Sequence, residues 1–140
     1  MSCRNWFRVG PPPPPEYDAR LGTLTWENEQ DAWCGSLDGL KFTLVHDRQS
    51  HPPEELKAWA FQVLQDREWL DRSLAEAVRN APSRYERYRD EMAALRYDEL
   101  GFAIQRKGRL IFATLEPGGV GRFWRLEFWN GVRRDIGFDS

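Results

Sequence analysis

His46 and His51 lie five residues apart across a Pro-flanked loop, with Asp47 between them. A His-Asp-His set can hold zinc, but three ligands on one loop make a weak site. Two solvent-exposed loop histidines explain the same residues without a metal. The chain has no Cys-x-x-Cys and no His-Glu-x-x-His. Cys34 is its only internal thiol. It falls mid-strand beside Trp33, away from the helix N-terminus or His base that activates a nucleophilic cysteine, and reads as a small packed residue. No serine occupies a Gly-x-Ser-x-Gly elbow. The run Pro-Gly-Gly-Val-Gly at residues 117–121 lies between two strands. It lacks the helix N-terminus of a phosphate cradle and reads as a hairpin connection. Glu27, Glu29 and Asp31 crowd a hairpin loop between Trp26 and Trp33. As general acid and base they need a cleft and two separated pKa values. As a solvated turn they need nothing more. As an acidic surface edged by aromatics they suit a basic protein partner. These residue types assign no catalytic group, no metal and no cofactor.

The composition narrows the partners. The 140 residues are 41% hydrophobic and 30% charged, as expected of one soluble globular domain. Seven Trp and eight Phe are many for this length and can fill a core or form an interface. The formal net charge is −2, with Lys and Arg scattered, which argues against a nucleic-acid-binding stripe. Cys3 and Cys34, with no apolar leader before them, read as reduced thiols of a cytoplasmic protein. No apolar run approaches ~20 residues, so no membrane span is expected.

The elements that position these groups follow from periodicity. Residues 1–20 form a proline-rich arm containing Pro11 to Pro15, read as a stiff polyproline II segment. The remainder, 21–140, reads as a single domain. Residues 21–47 read as a three-stranded meander. Asp38-Gly39 makes a two-residue turn that pairs Leu37 with Leu40, Gly35 with Phe42 and Trp33 with Leu44. After Pro52-Pro53, apolar residues from Leu56 through Trp59, Leu64 and Leu70 to Val78 predict one long amphipathic helix, stopped by Asn80 and Pro82. Ser83 and Glu86 form a capping box for a second helix ending near Tyr97. Residues 101–139 read as a four-stranded meander. A three-residue loop ending at Gly108 pairs Ile104 with Leu110 and Phe102 with Phe112. A second, Trp129-Asn130-Gly131, sets Glu127 opposite Arg133 and Arg125 opposite Asp135, and leaves an exposed outer face over a buried inner one. The expected fold is α+β: an N-terminal three-stranded antiparallel meander, a long and a second helix, and a C-terminal four-stranded antiparallel meander. The curved sheet packs on the helices.

Leu-Gly-Thr-Leu-Thr-Trp at residues 21–26, the acidic residues after it, Trp33 and Gly35 together resemble the opening of a group of small bacterial proteins. That group is the family catalogued as domain of unknown function 2262. The likeness covers the N-terminal half, through the strand after Asp38-Gly39 and the Leu-rich helix. It carries over no catalytic residue. It implies a bacterial, cytoplasmic α+β domain, of a kind that resembles immunity partners encoded beside toxins.

The leading expectation is therefore a non-enzymatic protein-binding domain, an immunity or antitoxin-like protein that occludes a cognate toxin. Its candidate contacts are Glu27, Glu29, Asp31 and Trp33 on the loop, and Arg84, Tyr85 and Tyr88 on the second helix. One alternative is a small-molecule-binding or enzymatic domain with a cleft between sheet and helices. Another is a homodimeric accessory domain that uses the C-terminal hairpin. The chain is expected to be a monomer or homodimer, with no nucleic-acid partner.

Overall fold

A computed structural model describes residues 12–46, 51–119 and 122–138. The strands β1 Glu16–Asp18, β2 Gly22–Glu27, β3 Ala32–Leu37 and β4 Leu40–Val45 come first. Helices α1 Glu54–Gln65 and α2 Arg67–Arg79 follow, then a 3-10 helix Ser83–Tyr88 and the short α3 Arg89–Ala93. Strands β5 Arg96–Gln105, β6 Gly108–Glu116, β7 Trp124–Trp129 and β8 Val132–Arg133 complete the described chain. Of the proline run, Pro12 to Pro15 lie outside any helix or strand and lead into β1, within the stretch read as an arm. Pro11 lies outside the described residues.

The chain is α+β, but the two separate meanders give way to one eight-stranded mixed sheet in the order β1-β2-β3-β4-β5-β6-β7-β8. The join is a parallel pair: β4 runs alongside β5, with Phe42 opposite Leu100 and Leu44 opposite Phe102. A parallel pair cannot close through a tight turn and needs a long crossover. The helices between β4 and β5 supply it. Strand β5 buries Leu100, Gly101, Phe102 and Ala103 in succession, as a central strand does. That burial removes the alternation by which the pairing could be read from sequence.

The expected long helix is two. Asp66 takes φ −91° and ψ 68°, outside the helical region, and its side chain accepts a hydrogen bond from the Trp69 N–H at 3.1 Å. It thus caps α2 at its start. The expected second helix is a 3-10 turn followed by five α-helical residues, and Ser83 makes no capping bond. Tyr97 belongs to β5, where its hydroxyl donates to the Leu70 carbonyl of α2 at 2.7 Å.

The Asp38-Gly39 hairpin has the expected register, with Trp33 opposite Leu44 and Gly35 opposite Phe42. The two C-terminal hairpins do not. Strand β5 turns into β6 through Arg106-Lys107, so Ile104 faces Arg109 and Phe102 faces Ile111. Both faces of β6 carry apolar residues, and alternation alone therefore cannot choose between registers. The β7–β8 turn uses only Asn130-Gly131, both at positive φ, with Trp129 opposite Val132 and Phe128 opposite Arg133. Arg125 then pairs with Gly137 instead of Asp135. From Phe128 to Arg125 one strand advances three residues while the other advances four, from Arg133 to Gly137, so one extra residue bulges between these pairs. The bulge restores the inner face: Ile136 is buried, and Phe138 meets Trp124 edge-on with centroids 4.6 Å apart.

One face of the sheet meets the helices. Trp33, Phe42, Leu44, Leu100, Phe102, Ile111, Trp124, Leu126 and Phe128 are fully or almost fully buried there. Leu56, Ala60, Leu64, Leu70 and Ala77 of α1 and α2 pack onto them. Burying each Leu contributes roughly 1.5–3 kcal/mol. No helix of the described residues is long and apolar enough to cross a membrane.

Candidate functional site

A cleft of about 550 Å³ opens where the α1–α2 break faces the β7–β8 turn. Trp59, Gln62 and Val63 of α1, Asp66 at the break and Trp69 of α2 form one wall. Arg109 and Ile111 of β6, with Asn130 and Gly131 of the turn, form the other. Volumes of roughly 300–1,000 Å³ are those of small-ligand sites.

The walls are braced from the core. Trp59 meets Phe102 edge-on at 5.3 Å, and Trp69 tilts against Phe128 at 5.1 Å. The two indoles make no ring contact with each other among the described residues. Arg109 is held at both ends. Its N–H donates to Asn130 Oδ1 at 2.9 Å, and its carbonyl accepts from the Asn130 N–H at 2.8 Å. Its guanidinium lies 5.3 Å from the Trp59 ring centre and bonds Glu55 at 2.9 Å. Gly108 permits the latch to close: it sits at φ 137°, and a Cβ there would fall 2.3 Å from Asn130 Oδ1.

The residues singled out from sequence are not brought together. Glu27, Glu29 and Asp31 are exposed around the β2–β3 turn, where Gln30 donates to Glu27 at 3.2 Å. Trp33 is 1% exposed and packs edge-on against Trp26 at 5.7 Å, so it is core and not contact surface. Its indole nitrogen has no hydrogen-bond partner among the described residues. Arg84 is exposed over the Tyr85 ring. Tyr85 and Tyr88 are half-buried in a cluster with Trp124 and Phe138. That cluster packs on β7, four strands from β3 in the sheet order. Four inter-strand steps amount to roughly 19 Å.

The other chemistry-bearing groups are quiet. Burial, then the charges of Glu27 and Glu99, pushes the Cys34 thiol up to about 11, which suits a packed residue and not a nucleophile. His51 bonds Glu16, while Asp47 lies outside the described residues. Among the described residues, no group of three His, Cys, Asp or Glu side chains is placed to hold a metal ion. The glycine run at 117–121 is described only through Gly119.

Sequence reasoning placed Trp59 on the helix face and passed over Trp69, Asp66 and Arg109. On an unbroken helix, Trp59 and Trp69 stand about 80° apart around the axis. The break at Asp66 brings both to one cleft. Asp66 as a capping residue with Glu68 in the first turn after it was the available signal.

No protein-family model, no curated protein and no solved structure matches this chain.

Proposed function

We propose that this domain binds a small molecule in the cleft between α1, α2 and the β6–β8 edge of the sheet. The observation that carries this reading is the juxtaposition of Trp59 and Trp69 with Arg109 and Asp66 around about 550 Å³. Apolar walls with a few fixed polar groups are what small-ligand sites share. A screen of metabolites by ligand-observed NMR tests it. A binder is expected whose signal disappears in Trp69→Ala while the variant keeps its fold. Absence of any binder at millimolar concentration would overturn the reading.

A second reading keeps the domain as a partner-occluding protein of the immunity type. It is favoured by the exposed carboxylates of Glu27, Glu29 and Asp31, which make no ion pair among the described residues. Exposed like charges at a turn steer a basic partner. Trp33, being core, takes no part in that surface, and the half-buried Tyr85–Tyr88 cluster lies four strands away against β7. Co-expression with the adjacent open reading frame decides it. A toxic neighbour neutralised by this chain, but not by a variant with all three carboxylates changed to Lys, supports occlusion. Unchanged rescue by that variant removes the loop from the reading.

A further inference from the structure

We infer that the cleft selects a zwitterion carrying an ammonium group and a carboxylate, with the ammonium against Trp69 and Asp66 and the carboxylate toward Arg109. This rests on the small-molecule reading above and specifies the ligand's chemistry.

The two walls differ in charge. The helix wall carries Asp66, whose Oδ1 is engaged with the Trp69 N–H at 3.1 Å. A capping carboxylate still bears a full negative charge and has lone pairs to spare. The indole of Trp69 begins three residues later on the same turn, so a carboxylate and an electron-rich ring face share one corner. Indole faces attract cations, and quaternary ammonium groups are recognised in this way. Trp59 displays the preference internally, since Arg109 lies over its face. No cation of the described residues lies over Trp69. The N-terminus of α2 opposes a cation with about half a positive charge. The full charge of Asp66, which lines the cleft, outweighs it.

The sheet wall donates. Arg109 supplies a fork of N–H groups, of which Nη2 is bound to Glu55 at 2.9 Å. Asn130 accepts the Arg109 N–H through Oδ1, so its NH₂ group, beside Gly108, is the donor end of the amide. A ligand carboxylate is the complement to this wall. A purely anionic ligand leaves Asp66 unbalanced, and a purely cationic one leaves the donors unused.

Three probes of nearly one shape separate the charges: glycine betaine, choline, and 3,3-dimethylbutanoate, which replaces the ammonium nitrogen by carbon. Each is titrated into ¹⁵N-labelled protein, and the indole N–H signals of Trp59 and Trp69 are followed. Betaine is expected to bind tightest. Asp66→Asn keeps a good helix cap and removes the charge, so it should weaken betaine about tenfold and not weaken 3,3-dimethylbutanoate. Arg109→Gln should weaken betaine and 3,3-dimethylbutanoate and spare choline. Equal binding of betaine and 3,3-dimethylbutanoate at these signals overturns the inference while the small-molecule reading stands. Silence of all three probes, with a different class of ligand found in the metabolite screen, also overturns the inference alone. Silence in both experiments overturns both.

Discussion

Asp18 shows how one side chain organises a turn. Its Oδ1 accepts from the Arg20 N–H at 2.9 Å and the Leu21 N–H at 3.0 Å, closing the β1–β2 connection. Arg20 and Lys57 approach its other oxygen at 3.5 and 3.6 Å, and Arg20 continues to Glu54. Burial alone would raise its pKa. The hydrogen bonds from Leu21 and Arg20 outweigh that and hold it at about 2, below the ordinary 3.8. A carboxylate depressed in the folded state stabilises above its unfolded pKa, and this is lost as pH falls through the folded value. Stability is expected to fall by about 1–2 kcal/mol between pH 5 and pH 2 from this group, after solvent screening. Urea denaturation across that range checks it: Asp18→Asn should flatten that part of the profile. Cys34 yields a second expectation at this scale. With Cys3→Ser to leave one thiol, alkylation should climb about tenfold per pH unit from 7 to 9.5. A plateau near the ordinary thiol value would contradict the burial described here.

Among the elements, the break between α1 and α2 matters most, because it turns a helix into a cleft wall. The Asp66 side chain caps the start of α2, and Arg67 ties the same turn to the Leu37 and Asp38 carbonyls. Asp66→Ala should destabilise the fold by about 0.5–2 kcal/mol, whereas Asp66→Asn should be nearly neutral. Thermal denaturation of the two variants distinguishes this from a helix that simply bends, for which alanine would be harmless or stabilising. The hairpins repeat the point in β structure. Asp38-Gly39 and Asn130-Gly131 are both two-residue turns at positive φ, yet only the first register follows from alternation. The second needs a bulge after Arg133 to bring Ile136 and Phe138 inward.

At the scale of the molecule, the parallel seam makes one sheet of two meanders. Strands β4, β5 and β6 occupy its centre, while β1 and β8 are short edges of three and two residues. Native-state hydrogen exchange should therefore be slowest at the amides of β5 and fastest at β1 and β8. If β5 exchanged as fast as the edges, the two halves would not be joined by the β4–β5 pairing. The same seam sets the crossover helices on one face, and the cleft lies where α1 and α2 meet the β6–β8 edge of that face.

Local chemistry determined much of this protein from its sequence. Leu24 and Trp26 alternate with Thr23 and Thr25, and β2 buries the first pair. The Asp38-Gly39 turn, the exposed outer face of β7 and the stop before Pro82 follow in the same way, because each depends on residues a few positions apart. Tertiary contact alone decided the rest. Phe42 and Leu100 lie 58 positions apart (100 − 42), and their pairing leaves no periodic trace in a strand buried on both faces. Trp33 reads as a surface candidate because composition does not reveal which aromatics the core consumes. The cleft is likewise absent from any single segment. It comes into being only when a capped break, a strand end and a glycine-permitted latch at Gly108 meet, and those encounters depend on how the whole chain packs.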